Sequence, residues 1–62
     1  MWVVIHLAQN LKDAESIRGY LEDENILCRI KPVMPAGDSY YEVSVIQSEA
    51  QEAYAIIIEK GY

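Results

Sequence analysis

The chain has few of the residues that stabilise very small domains or carry out chemistry. Its 62 residues include one cysteine, Cys28, and one histidine, His6. A lone cysteine cannot close a disulfide within the chain, and one cysteine with one histidine does not make a structural zinc site. The sequence therefore predicts no metal and no cofactor. Of the usual aids to a small core, it leaves association with a partner subunit.

Basic residues are also scarce. Five Lys and Arg stand against ten Asp and Glu, which gives a net charge of −5. Nucleic acids and anionic membrane surfaces bind positively charged proteins, so neither is an expected partner. The apolar start, residues 1–5, has no basic region and is too short for a signal peptide or a membrane span. Together with the single free thiol, these features favour a cytoplasmic protein.

Regular apolar patterning predicts one globular domain over residues 1–62. Alternating residues indicate strands over 2–8, 26–33 and 40–46. Asn10 is typical of the cap that begins a helix, and Asn25 is suited to end that helix. A second helix is predicted from a cap at Ser48 to Gly61. A loop over residues 34–39 is predicted to join the second and third strands as a hairpin.

The order of these elements, βαββα, predicts the architecture. A right-handed crossover through the first helix makes the first two strands parallel, and the third strand fits between them. The result is an α+β two-layer sandwich with a three-stranded sheet of order 1-3-2 and both helices on one face. This is the ferredoxin-like fold without its last strand.

Alternation along the strands also assigns side chains to the two faces of the sheet. Leu7 is predicted to point toward the helices, as is Cys28, which would pack there as a small apolar side chain. The candidate binding residues are those predicted on the other face: Trp2, Val4, His6, Arg29, Lys31 and Tyr40.

The two outer strands differ in how their edges are protected. The second strand carries Arg29, Lys31 and Pro32, which discourage pairing with another strand. The first strand is apolar over 2–5 and has no such residues. This predicts a homodimer in which first strands pair or uncovered sheet faces pack, or a partner protein bound in the same place.

The cationic and aromatic residues of the uncovered face admit two interpretations. Arg29 and Lys31, with Trp2, His6 and Tyr40, could hold a small anionic metabolite, or single-stranded nucleic acid by stacking, which the net charge of −5 disfavours. Alternatively, the two cations only guard the edge, with Glu42 as a cross-strand partner. His6 has a pKa suited to acid–base chemistry, but no Ser or Cys is placed beside it by the local sequence. No catalytic residues are predicted, and the chain is not expected to be an enzyme.

The pattern as a whole resembles a family of short bacterial proteins described as signal-transducing proteins, whose biochemical function is unknown. The matching parts are an aliphatic first strand, an Ala-Glu-x-Ile helix, a short second strand, a Gly-containing hairpin and a Glu- and Ala-rich last helix; here they are 3–5, 14–21, 24–26, Gly37 and 49–57. The resemblance implies a PII-like domain that regulates rather than catalyses. By this pattern, the chain is similar to half of a PII-type regulator or to an ACT-type ligand-sensing domain.

Overall fold

The structure, a computed structural model, describes residues 1–34 and 39–62. Its strands and helices are β1 (Trp2–Ala8), α1 (Leu11–Asp23), β2 (Cys28–Val33), β3 (Tyr40–Ile46) and α2 (Ala50–Glu59). A short 3-10 turn over Gln47–Glu49 precedes α2. Of the hairpin loop predicted over 34–39, residues 35–38 lie outside the described residues.

The three strands form one sheet of order β1-β3-β2, with β3 antiparallel to both of its neighbours. Side chains of both helices join those of one sheet face in a single buried cluster. Val43 and Val45 of β3 have no exposed surface. The predicted α+β sandwich, a ferredoxin-like fold without its last strand, is confirmed.

Helix α1 begins and packs as its sequence predicts. The Oδ1 atom of Asn10 accepts a hydrogen bond of 2.8 Å from the backbone N–H of Asp13. This bond satisfies one of the free N–H groups of the first turn. Ala14, Ile17 and Leu21 recur at helical spacing and are completely buried against the sheet.

Strand β2 begins two residues later than predicted because of the way α1 ends. Asn25 takes the left-handed conformation at φ 63°, as predicted. This turn lets the N–H of Ile26 donate to the carbonyl of Leu21, at 2.9 Å. Ile26 is therefore buried as part of the helix end, and β2 begins at Cys28 instead of Ile26.

Helix α2 begins differently from the prediction. The residue before it is Glu49, which makes no side-chain capping bond, so the predicted cap at Ser48 is wrong. The N–H of Gln47 donates to the carbonyl of Met1 at 2.8 Å, which holds the chain to the sheet just past β3. The chain then turns tightly before the helix starts. Gly61, at φ 91°, follows the end of α2 as predicted.

Strand β1 contains a β-bulge at Ile5. Val4 lies opposite Ser44, but His6 lies opposite Val43, the next residue of β3. Ile5 therefore has no partner on β3. An extra residue of this kind reverses the alternation of side chains in the remainder of the strand.

The bulge overturns two assignments made from the sequence. His6 shares the face of the buried Val43 and points toward the helices, not away from them. Leu7 lies opposite Glu42 and is 54% exposed, although alternation predicted it to face the helices. The buried residue at this end of β1 is Ala8.

Neither described helix has the length and apolarity needed to cross a membrane.

The left-handed turn at Asn25 can be tested by substitution. Alanine at a positive φ is strained by about 1–2 kcal/mol, whereas glycine is not. Asn25→Ala should lower the free energy of unfolding in urea by about 1 kcal/mol, and Asn25→Gly should change it by less than about 0.5 kcal/mol. Asp23→Ala, at the exposed end of α1, serves as a control. Equal losses in the alanine and glycine variants of Asn25 would contradict the assignment.

Candidate functional site

One face of the sheet is not covered by either helix. We call it the open face; its side chains, from all three strands, are Trp2, Val4, Leu7, Arg29, Lys31, Val33, Tyr40, Glu42, Ser44 and Ile46. Half of its six apolar and aromatic residues lie on β1, and its two cations lie on β2. The central strand β3 contributes the carboxylate of Glu42 between them.

Five of the six predicted site residues lie on the open face, and three of them come together. Trp2, Arg29 and Lys31 line one depression. Tyr40 shares the face but lies four residues along β3 from Ser44, about 13 Å away. It is therefore outside the depression.

The indole of Trp2 and the guanidinium of Arg29 are stacked. The Arg29 Cζ atom lies 4.6 Å from the centre of the Trp2 ring. The two residues come from opposite outer strands, and Arg29 pairs with Ser44 on the strand between them. Because the Ser44 side chain is small, the indole can reach diagonally across β3. Such cation–π contacts contribute about 0.5–1 kcal/mol at exposed positions.

The depression beside this pair has a volume of about 340 Å³. Glu42 and Ser44 complete its polar lining, and Lys31 lies directly opposite Glu42 in the register. The predicted cross-strand pairing of Glu42 with the second strand is thus confirmed in the register. Sequence reasoning did not include Ser44 in the site, although its position two residues after Glu42 in β3 assigns it to the same face.

The β1 side of the open face is apolar and accessible. Val4 is 49% exposed and Leu7 is 54% exposed. The sequence suggested that the edge of β1 has no protection, but a β-bulge is itself a feature that discourages edge pairing. The bulge at Ile5 therefore makes the edge of β1 less suited to strand pairing than its sequence indicates.

His6 belongs to a different cluster, on the helix side of the sheet. The centre of its ring lies 6.1 Å from the centre of the Tyr62 ring, and the two rings are nearly perpendicular. The centre of the Tyr62 ring lies 6.4 Å from that of the Tyr20 ring. The ammonium of Lys60 lies 4.9 Å from the centre of the Tyr20 ring. These contacts connect β1, α1 and the residues after α2. The surroundings of His6 favour a packing role for it.

Cys28 faces the helices, as predicted, and is only 6% exposed. Burial raises the pKa of its thiol; the nearby Glu22 also raises this pKa, while Arg18 lowers it. The Sγ atom lies 3.9 Å from the carbonyl oxygen of Arg29. A buried thiol with a raised pKa is neutral near pH 7 and is a poor nucleophile.

Within residues 1–34 and 39–62, no group of three or more His, Cys, Asp or Glu side chains is arranged to hold a metal ion.

The chain matches no family model, no curated protein and no solved structure. Its candidate functions therefore rest on the chemistry of its own residues.

The stacking of Arg29 on Trp2 can be tested by fluorescence, because Trp2 is the one tryptophan of the chain. Arg29→Gln should change the tryptophan emission spectrum and lower the free energy of unfolding by about 0.5–1 kcal/mol. Lys12→Gln removes the same charge from the exposed side of α1 and should leave the spectrum unchanged. An Arg29→Gln spectrum identical to that of the wild type would contradict the contact.

The buried thiol of Cys28 makes stability depend on alkaline pH. The folded state binds the thiol proton more tightly than the unfolded state does, so this stabilisation is complete below the unfolded-state pKa. It is lost as the pH rises past 9.0, the ordinary pKa of the thiol, toward the raised pKa. Between about pH 7 and about pH 10, the free energy of unfolding should fall more for the wild type than for Cys28→Ala. Urea unfolding measures both, and equal losses would contradict the expectation.

Proposed function

We propose that the protein is a non-catalytic regulatory or interaction module of the cytoplasm that associates with a second copy of itself through the open face. One observation carries this proposal. Each helix packs on the same side of the sheet, and the other side exposes Val4 and Leu7 by about half. Apolar side chains clustered on an uncovered sheet face are typical of an interaction site.

The size of the open face suits a small homodimer. Its strands have seven, six and seven residues, so the face measures roughly 20 by 14 Å. The accessible surface of such a face is several hundred Å² per copy, toward the lower end of specific interfaces. Covering the β1 side would remove apolar surface from water, which stabilises a dimer by roughly 25 cal/mol for each Å² buried.

The arrangement of the apolar residues suits a second copy as the partner. A two-fold axis parallel to β3 would set β1 of one copy over β2 of the other, with the sheets about 10 Å apart. The apolar Trp2 and Val4 would then lie over the stem of Arg29 in the partner. Leu7 would lie over Lys31 of the other copy, while the two Glu42 carboxylates would face each other at the axis, beside both Lys31 side chains.

Light scattering on a size-exclusion column, at two protein concentrations, tests this association. The wild type should have the mass of a dimer, at least at the higher concentration. Val4→Lys should be a monomer at both, because a charged ammonium would be buried in the interface without a partner. Leu11→Lys is the matched control, since Leu11 is 46% exposed and lies in α1, on the other side of the sheet. A wild-type monomer at both concentrations would contradict the proposal.

A second variant separates face packing from pairing of β1 edges. Ser44→Lys places a charge at the centre of the open face, on β3, and leaves the outer edge of β1 unchanged. Packing of open faces should be abolished by it. A dimer that survives Ser44→Lys would contradict the face arrangement and indicate contact at the edge of β1. Exposed Tyr54 and Ile58 lie on the side of α2 away from α1 and could add to such an edge contact.

A further inference from the structure

We infer that Arg29 and Lys31 form a binding site for an oxyanion, a carboxylate or phosphate group, and that binding of this group favours association of two open faces. The second part rests on the proposed function. The first part depends only on the depression beside Trp2, which is present in a single copy.

The guanidinium of Arg29 is held in place with its donors available. Its Cζ atom lies over the Trp2 ring, 4.6 Å from the ring centre, and this contact does not consume the N–H groups as hydrogen-bond donors. Among the hydrogen bonds of the described residues, none involves this side chain. The planar donor group of an arginine matches the two oxygens of a carboxylate or phosphate.

Lys31 can reach the same anion. It follows Arg29 by two residues on one face of β2, so the two side chains start about 7 Å apart. Both line the depression of about 340 Å³, which is large enough for a small organic anion. The hydroxyl of Ser44 lines it too and is a further possible donor.

The charges on the open face do not balance. Its described residues carry two positive charges, Arg29 and Lys31, against one negative charge, Glu42. The whole chain, at −5, repels anions at long range, so the attraction must be local and sensitive to salt. A compact dianion is expected to bind better than a monoanion.

This imbalance connects the anion to self-association. Face-to-face packing would bring together four cations and two carboxylates, and partly desolvate them. Surplus buried charge opposes association unless a counter-charge is present. An oxyanion at each site supplies that charge, and by linkage the dimer binds the anion more tightly than the monomer does.

The test uses inorganic phosphate and succinate as probes, each compared with chloride at equal ionic strength. Trp2 fluorescence, measured on dilute protein, reports binding of the probe to the single chain. Light scattering at higher concentration reports association. At least one probe should change the fluorescence saturably and lower the dimer dissociation constant at least about fivefold. An effect of succinate alone indicates a carboxylate ligand; an effect of phosphate alone indicates a phosphate ligand.

Two matched variants test whether both effects depend on the proposed anion site. Lys31→Gln should remove both effects, and the exposed position of Lys31 makes this variant fold like the wild type. Lys12→Gln loses the same charge on α1 and should retain both effects. Equal loss in the two variants would indicate non-specific charge screening and overturn the site.

The outcomes separate this inference from the proposed function. If the protein dimerises but neither probe changes its dissociation constant or its Trp2 fluorescence, the anion site is overturned. The self-association proposal then remains intact. Saturable fluorescence changes in a chain that stays monomeric support the site, but overturn its link to association and the proposed function with it.

Discussion

Burial of one side of β3 is the constraint on which the remaining structure depends. Val43 and Val45 have no exposed surface, while Glu42 and Ser44, between and beside them, point the other way. Both outer strands are hydrogen-bonded to this strand. Because a strand alternates its side chains, covering one face with both helices necessarily leaves the opposite face to water. The open face is thus a direct result of how the core is built.

Most of the fold could be predicted from local patterns. The alternation of β3, the cap at Asn10 and the left-handed turn at Asn25 each depend on residues close together in sequence. The two errors in element boundaries have different causes, one local and one tertiary. Ile26 is held by the end of α1, and Gln47 is held by Met1. The bond of Ile26 completes the left-handed turn at Asn25, whereas the bond of Gln47 joins residues far apart in the sequence.

The site was predictable where its strand is regular. Strand β2 pairs with β3 without interruption, so alternation correctly placed Arg29 and Lys31 on one face. Strand β1 has a bulge, and from that point alternation gave the wrong face for His6 and Leu7. No glycine marks the bulge at Ile5 in the sequence, so it is evident only from the pairing of β1 with β3.

The stacking of Trp2 on Arg29 could not be predicted for a different reason. Their contact joins the two outer strands, which do not pair with each other, and it crosses β3 at Ser44. It depends on the rotamer of the indole and on the small size of the residue beneath it. The sequence assigns both residues to one face of the sheet, but the contact between them is evident only from the folded structure.

The position of β3 between its neighbours also bears on synthesis of the chain. Strands β1 and β2 both precede β3, yet each finds its hydrogen-bonding partner only there. Because a ribosome releases the N-terminal part first, α1 can form early, whereas Trp2–Ala8 stays unpaired until Tyr40–Ile46 has emerged. The sheet therefore forms in one late event. Before it, the nascent chain exposes an apolar strand to chaperones and to aggregation.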